Sequence, residues 1–380
     1  MSEPLVIAII GAVGAIVAAI IQAIAAVISG RAESSSSYRK WGFKTASAWF
    51  FLGIAASLIL AIVMPSITPA FFAKKRQYPR RIVFSPVAAL RTDIEVWTGI
   101  RSNIQSKVDS LRPKGFCDHE ILVILEKPTS YDEQLRKLKS GDIQICSLSA
   151  GTTATAVVDP SYHYKPMFEL SRKVGQSNNI PCEYAPVFIL NSSERQITNI
   201  PQLVSELKNN GINHFGFGMT TSHSSYRVPR LVFERVFSMS IPSEEKLDHF
   251  GHDTLISRVI SGSLRAACVA NDILDDYEKK NNGVKVLRLS WQSIESDLNT
   301  SKLAYLTNSV PRESFGWNDD LPIPLQLCLE EAFMTYPWNS DNGFKGLYTN
   351  SYPEISGVTR LESIYTRWND VFTAANALKK

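Results

Sequence analysis

The chain has 380 residues, 44% of them apolar and 20% charged, with a formal net charge of +4. That is enough to bury a substantial core and too much for one compact core of ordinary size. Up to position 80 there are eight basic residues against two acids (Glu3 and Glu33), which leaves 32 basic and 34 acidic residues beyond it; the basic balance therefore belongs to the N-terminal region, and the remainder lacks the excess of positive charge that a nucleic-acid partner requires.

From Leu5 to Ser29 the sequence is apolar and uncharged, interrupted by Gln22, and is long enough to cross a hydrocarbon core of about 30 Å as a helix. Met1 to Pro4 carries no Lys or Arg, and the run is longer than that of a cleaved secretory signal, so the segment is expected to be retained. After a polar loop, Arg31 to Lys44, comes a second apolar run from Ala46 to Phe72. Residues 1–80 are thus expected to form a transmembrane hairpin (helices about 5–29 and 46–72) that holds the protein at the cell (inner) membrane. Gly11 with Ala15 and Gly14 with Ala18 are spaced to let another helix approach closely, although an Ala/Gly-rich span produces such spacings by composition alone. The loop carries four basic residues (Arg31, Arg39, Lys40, Lys44) and the flank after the second helix five (Lys74, Lys75, Arg76, Arg80, Arg81), so the positive-inside rule nearly ties and leans slightly towards a cytoplasmic domain.

Beyond the hairpin the pattern alternates. Arg81–Ser85 reads as a strand, Asp93–Leu111 as an amphipathic helix, Ile121–Leu125 as a strand, Tyr131–Lys139 as a helix, and Gly141–Cys146 as a strand ending in a small polar loop, Ser147 to Ala150. This alternation predicts an open α/β sheet. Ligands of such sheets bind beyond the carboxyl ends of the strands, which makes Ser147 and Ser149 candidates; the same hydroxyls serve equally well as helix caps.

The apolar run Tyr184–Leu190 reads as a crossing into a second lobe, followed by a helix from Ile200 to Lys208. The strand His214–Met219 then breaks into Thr220-Thr221-Ser222-His223-Ser224-Ser225-Tyr226-Arg227-Val228-Pro229 before a helix through Phe237. A hydroxyl-rich turn at a helix start offers backbone N–H groups, O–H donors and the positive end of the helix dipole to an anion. Ser222, His223 and Ser224 are the natural cradle, with capping again the alternative. One lobe is expected over about 81–185 and 291–380 and the other over about 186–290, with hinges near Tyr184–Val187 and Val286–Trp291.

The five cysteines are odd in number and scattered, with no CxxC pair. Cys117 and His119 lack two further ligands, so neither a metal nor a cofactor is expected. Cys146 and Cys268 are the nucleophile candidates for an enzyme, but both sit in apolar strand-like runs where a thiol is inert, and no catalytic residue is assigned. A Gly-x-x-x-x-Gly-Lys-Ser/Thr phosphate loop does not occur.

The run Ser222 to Pro229 resembles the Ser-Thr-Ser-Gly-Tyr-x-x-Pro turn of phosphonate-binding periplasmic proteins of ABC transporters, with His223 and Ser225 in place of Thr and Gly. Gly251-His252-Asp253 and Ser261-Gly262-Ser263-Leu264-Arg265-Ala266-Ala267 resemble two further segments of that family. Gly141-Asp142-Ile143, Leu148-Ser149-Ala150, Tyr184 and Ser309-Val310-Pro311 extend the likeness in family order over about residues 81–350. The resemblance implies a two-lobed type 2 periplasmic-binding-protein fold, preceded here by the two transmembrane helices, with a small anionic solute in the cleft.

By position it assigns oxyanion contacts to Ser222, His223, Ser224 and His252, for which a capping role beside Asp253 is the alternative, and places Tyr184 at the crossover. The carboxylates that hold a ligand ammonium in aminophosphonate binders fall on Asn271 and Glu313, so one charge is missing. Phosphate, a simple phosphonate or another small oxyanion is the ligand class left open. The implied partners are the solute and a membrane protein such as a transporter permease or a signalling protein, with no nucleic acid. A ligand-triggered membrane effector and an enzyme on the same fold are the alternatives. Family members work outside the cytoplasm, and the resemblance places the globular domain there too; the basic flank from Lys74 to Arg81 and the five unpaired thiols point to the alternative, a cytoplasmic domain.

Overall fold

The computed structural model describes residues 78–86, 94–127, 130–173, 180–281, 284–348, 352, 354–361 and 368–378. The expected hairpin lies outside them; among the described residues no helix is long and apolar enough to cross a membrane. From Tyr78 onward the chain forms one compact unit, built on two sheets.

The chain enters the first sheet at β1 (Arg81–Ser85), crosses by α1 (Thr98–Asp109) to β2 (Leu122–Leu125), and by α2 (Tyr131–Ser140) to β3 (Ile145–Ser149). Both β2 and β3 lie parallel to β1. Local chemistry sets these elements. In α1, Ile100, Ile104 and Val108 recur every fourth residue and are buried. The Ser130 hydroxyl caps α2 by accepting from the Glu133 N–H at 3.1 Å, and Gly141, at φ 77°, ends it in the left-handed conformation.

Then follow α3 (Ala150–Val158) and β4 (Tyr164–Arg172), with β5 (Ile180–Pro181) hydrogen-bonded at its edge. The short β6 (Glu183–Tyr184) leads into β7 (Pro186–Leu190), α4 (Ile200–Asn210) and β8 (Phe215–Gly218). A helix of mixed winding comes next: a π turn over His223–Arg227, α5 (Val228–Leu231) and a second π turn over Val232–Val236. After it come β9 (His249–Phe250), α6 (His252–Ile260), β10 (Ala266–Ala270), α7 (Asn271–Lys280), β11 (Leu287–Leu289) and α8 (Glu295–Thr300). The chain closes with β12 (Val310–Pro311), β13 (Glu313–Asn318), α9 (Ile323–Thr335), α10 (Asn342–Tyr348), β14 (Ile355–Arg360) and α11 (Asn369–Ala377).

The first sheet has the order β14-β4-β13-β3-β1-β2, and the second β11-β7-β10-β8-β9. Each lobe has its own aromatic-rich core. Phe84, Trp97, Phe168, Phe315, Phe333 and Trp338 pack in the first, and Phe188, Phe215, Phe217 and Phe233 in the second. Between the lobes the outgoing β6 and the returning β12 pair antiparallel, Tyr184 opposite Val310. This moves the return crossing from the expected Val286–Trp291 to Val310–Pro311. The reason is packing: Ile294, Leu298, Leu303 and Leu306 belong to the second lobe's core, so the chain stays there well past residue 291. Helix α11 lies across both lobes. Its Ala374 joins the second core, while Trp368, Val371, Phe372 and Ala375 cluster with Ala150 and Ala154 of α3 and with Tyr184, Ala270 and Val310.

Candidate functional site

Two structural features meet at the corner Ser149-Ala150-Gly151, where β3 turns into α3. The first is the turn after β8. A Cβ at Gly218 would collide with Ser225 Oγ, so glycine lets the turn fold back on its own strand. The Ser222 hydroxyl accepts from the Ser225 N–H at 3.3 Å and the Ser225 hydroxyl at 2.7 Å, and is therefore a helix cap. His223 and Ser224 differ. Both are 1% exposed, and neither imidazole nitrogen of His223, nor Ser224 Oγ, nor the nearby Thr221 Oγ1 has a hydrogen-bond partner among the described residues. Buried polar groups are ordinarily satisfied, and these residues, at a helix start, offer two hydroxyl donors and one imidazole N–H, a set suited to an oxyanion. The π winding of His223–Arg227 is of the kind that clusters at functional sites.

The first lobe comes directly against this turn. A Cβ on Gly151 would collide with the Thr221 carbonyl oxygen and stand 2.7 Å from the His223 backbone nitrogen. The guanidinium of Arg227 donates to the Gly151 carbonyl at 2.9 Å and the Thr155 hydroxyl at 2.6 Å. Burial, reinforced by the charge of Arg227, lowers the His223 pKa to about 3; the ring is neutral at neutral pH and presents one N–H and one lone pair.

In the first lobe the expected loop Ser147 to Ala150 is the end of β3 followed at once by α3. The strand is prolonged by antiparallel pairing with β13, Ser147 opposite Phe315 and Ser149 opposite Glu313, a partner more than a hundred residues away that local pattern does not reveal. Ser147 is fully buried with its hydroxyl unpartnered among the described residues. The side-chain amide nitrogen of Gln134 lies 3.2 Å from the Ser147 carbonyl and 3.1 Å from that of Ser85. Ser149 shares a hydrogen bond of 2.8 Å with the Thr152 hydroxyl.

The second feature adjoins the crossover. Ala150 N–H donates to the Arg312 carbonyl at 3.0 Å, which sets the Arg312-Glu313 pair beside the same corner. Arg312 pairs with Asp272 of the second lobe, and its Nε is 3.4 Å from Glu313 Oε1. The Tyr348 hydroxyl donates to Glu313 Oε2 at 2.6 Å, and that of Tyr352 lies 3.0 Å from Asp272 Oδ2. Burial pushes the Glu313 carboxyl up, against the pull of Arg312 and Tyr348. Burial also raises the buried Tyr184 phenol, leaving it a neutral donor. His252 opens α6 partly exposed, with Nδ1 3.5 Å from the Ala270 N–H. Burial first, then the charge of Arg312, lowers its pKa to about 4.

The second acid in this network, beside Glu313, is Asp272, one residue beyond the expected Asn271. The amide oxygen of Asn271 accepts from the Ala185 N–H at 2.8 Å and ties α7 to the crossover. Arg227, Arg312, Asp272, Tyr348 and Tyr352 were not singled out from sequence; Arg227 lay inside the turn motif, and a lone Arg between Pro311 and Glu313 looks like any surface charge.

The thiols of Cys146 and Cys268 are wholly buried, and burial raises both well above the ordinary range. They are protonated and inert. Among the described residues, His163, Asp319 and Asp320 bring ligand-type atoms together, all on exposed side chains.

A search of curated proteins finds no match. Among solved structures, PhnD1 from Prochlorococcus marinus in complex with methylphosphonate is similar at 13% identity and a TM-score of 0.51, covering 80% of this chain and 99% of that one. XAC2383 from Xanthomonas citri bound to chloride ion is similar at 12% identity and a TM-score of 0.51, covering 79% and 99%. These likenesses establish the two-lobed α/β periplasmic-binding-protein fold. Residues 118–357, more than half of the chain, match the family model described as ABC transporter, phosphonate, periplasmic substrate-binding protein, and the chain belongs to that family of solute-binding proteins.

Proposed function

We propose that the chain binds a small oxyanion (phosphonate, phosphate or a similar solute) between its lobes, outside the cytoplasm, and passes it to a transporter permease or a signalling protein in the membrane. The observation that carries this reading is the set of buried, unpartnered donors at Thr221, His223 and Ser224 at a helix start. A carboxylate or phosphoryl oxygen placed there gains charge-assisted hydrogen bonds in a site from which bulk water is largely excluded. Ser147 and Ser149 stand at the carboxyl end of β3, where ligands of open sheets collect, and Tyr184 and His252 flank the crossover. The hairpin over residues 1–80 remains the proposed anchor.

The test is thermal unfolding of the full-length chain with methylphosphonate, inorganic phosphate, sulfate and chloride. A ligand of the folded state raises the transition by mass action, by about 2.7 kcal/mol at a hundredfold excess over Kd. The expected result is a concentration-dependent rise with a phosphonate or phosphate that is absent in His223→Ala with Ser224→Ala; no rise with any oxyanion ends the proposal.

A further inference from the structure

Glu313 and Asp272, 2% and 6% exposed, stand on different lobes yet face one guanidinium. Glu313 begins β13 beside Ser149, and Asp272 lies in the first turn of α7. Two carboxylates withdrawn from water demand a cation. Without one from the chain, this side of the cleft would recruit a cationic group from the ligand. Arg312 supplies it: it pairs with Asp272, reaches Glu313 at 3.4 Å, and lies 5.6 Å from the centre of the Tyr352 ring. The tyrosines complete the arrangement, Tyr348 on Glu313 and Tyr352 on Asp272. The Arg312 Nε–H is still without a hydrogen-bond partner among the described residues.

We infer that Arg312 is a built-in counter-cation that sets specificity: the cleft takes an oxyanion with no cationic substituent and refuses the ω-amino derivative of the same oxyanion. This rests on the oxyanion reading of the site. An ammonium brought to this corner meets a like charge already fixed there and finds both carboxylates paired. An unsubstituted oxyanion meets neither obstacle, and the positive guanidinium favours it.

The test is titration calorimetry of the full-length chain with methylphosphonate, inorganic phosphate and 2-aminoethylphosphonate, on the native protein and on Arg312→Met and Arg312→Lys. The native chain is expected to bind methylphosphonate or phosphate at least about tenfold more tightly than 2-aminoethylphosphonate, a gap of about 1.4 kcal/mol. Arg312→Met, which frees both carboxylates, should narrow or reverse that order, and Arg312→Lys should keep it. Native protein that binds 2-aminoethylphosphonate as tightly as methylphosphonate overturns the role of Arg312 while leaving the oxyanion reading intact, and so does a folded Arg312→Met with unchanged order. Failure to bind any of the three removes the oxyanion reading and this inference together. If Arg312→Met does not fold, the native affinity ratio decides alone.

Discussion

Arg227, carried on the π turn of the second lobe, donates to the Gly151 carbonyl at 2.9 Å and to the Thr155 hydroxyl at 2.6 Å, both on α3 of the first. Arg227 is 6% exposed, so these bonds form in a low dielectric, where an unmade bond is costly. Arg227 therefore latches the lobes together beside the cradle that holds His223 and Ser224.

Replacing Arg227 by Met should loosen this latch while leaving each lobe's core untouched. Each bond from a charged donor is worth about 1.5–3 kcal/mol, and neither core cluster contains the residue. Spin labels on Lys165 and Glu295, exposed sites on different lobes, report the separation in full-length protein. A longer or broader distance distribution in Arg227→Met is expected; an unchanged one refutes the latch.

Ser222 and Ser224 should separate fold from binding. Ser222→Ala removes a cap and should cost about 1 kcal/mol of stability. Ser224 has no partner to lose within the described residues, so Ser224→Ala should leave unfolding unchanged and lower oxyanion affinity by about 1.5–3 kcal/mol, roughly one to two decades. Thermal unfolding and calorimetry on the two single variants check this, and interchanged effects would reverse the two assignments.

His223 should make the protein acid-sensitive in a defined window. Its folded pKa is lowered to about 3 by burial and then by Arg227, whereas the unfolded imidazole titrates near about 6.5. Below that value the unfolded state binds a proton that the folded state refuses, so stability falls as pH falls, by about 1.4 kcal/mol per unit and about 2 kcal/mol at about pH 5. His252, lowered to about 4 by burial and then Arg312, acts in the same direction and less strongly because it is partly exposed. Unfolding of native protein and His223→Asn at about pH 7.5 and about pH 5 tests the sign. The variant should lose less stability on acidification; an equal loss counts against a buried neutral imidazole.

Local patterns were enough for the elements whose determinants are local. The strand at Arg81–Ser85 is read directly from its apolar run and the helix from Tyr131 from its amphipathic pattern, whereas Gly141, read as the start of a strand, ends that helix in the left-handed conformation. The polar turn after β8 stands out in the sequence as a run of hydroxyl residues, but which of them caps the helix and which lacks a partner depends on the fold: Ser222 accepts from Ser225, and the Ser224 hydroxyl has no partner among the described residues. What local pattern cannot convey is pairing at a distance. Ser147 to Ser149 looked like a loop because Phe315 and Glu313, which pair with them, lie far along the chain. The return crossing was placed too early because the membership of Leu298 and Leu306 in the second core is a tertiary fact. Arg312 with Asp272, and Arg227 with Gly151, are contacts between lobes, and each residue alone resembles ordinary surface charge.

Gly151 gives the sharpest separation of closure from folding. It sits in the first turn of α3 with ordinary helical backbone, and nothing in its own helix objects to a methyl group; the atoms a Cβ would strike are the Thr221 carbonyl oxygen and the His223 backbone nitrogen, across the cleft. Alanine is a better helix former than glycine by about 1 kcal/mol, so Gly151→Ala should leave the first lobe as stable as before or slightly more so. Backbone atoms on the second lobe cannot yield as a flexible side chain would, and the lobes must part until the overlap with the Thr221 carbonyl oxygen relaxes to ordinary van der Waals contact. That parts Arg227 from the Gly151 carbonyl and opens the cradle to water, so oxyanion affinity should fall about tenfold or more, about 1.4 kcal/mol. The spin-label distance between Lys165 and Glu295 should lengthen, and any drop in stability should not exceed the worth of the parted Arg227–Gly151 bond, about 1.5–3 kcal/mol. A variant that keeps native affinity and native separation shows that the turn at Thr221 to His223 gives way instead, and then the close approach at Gly151 does not govern closure.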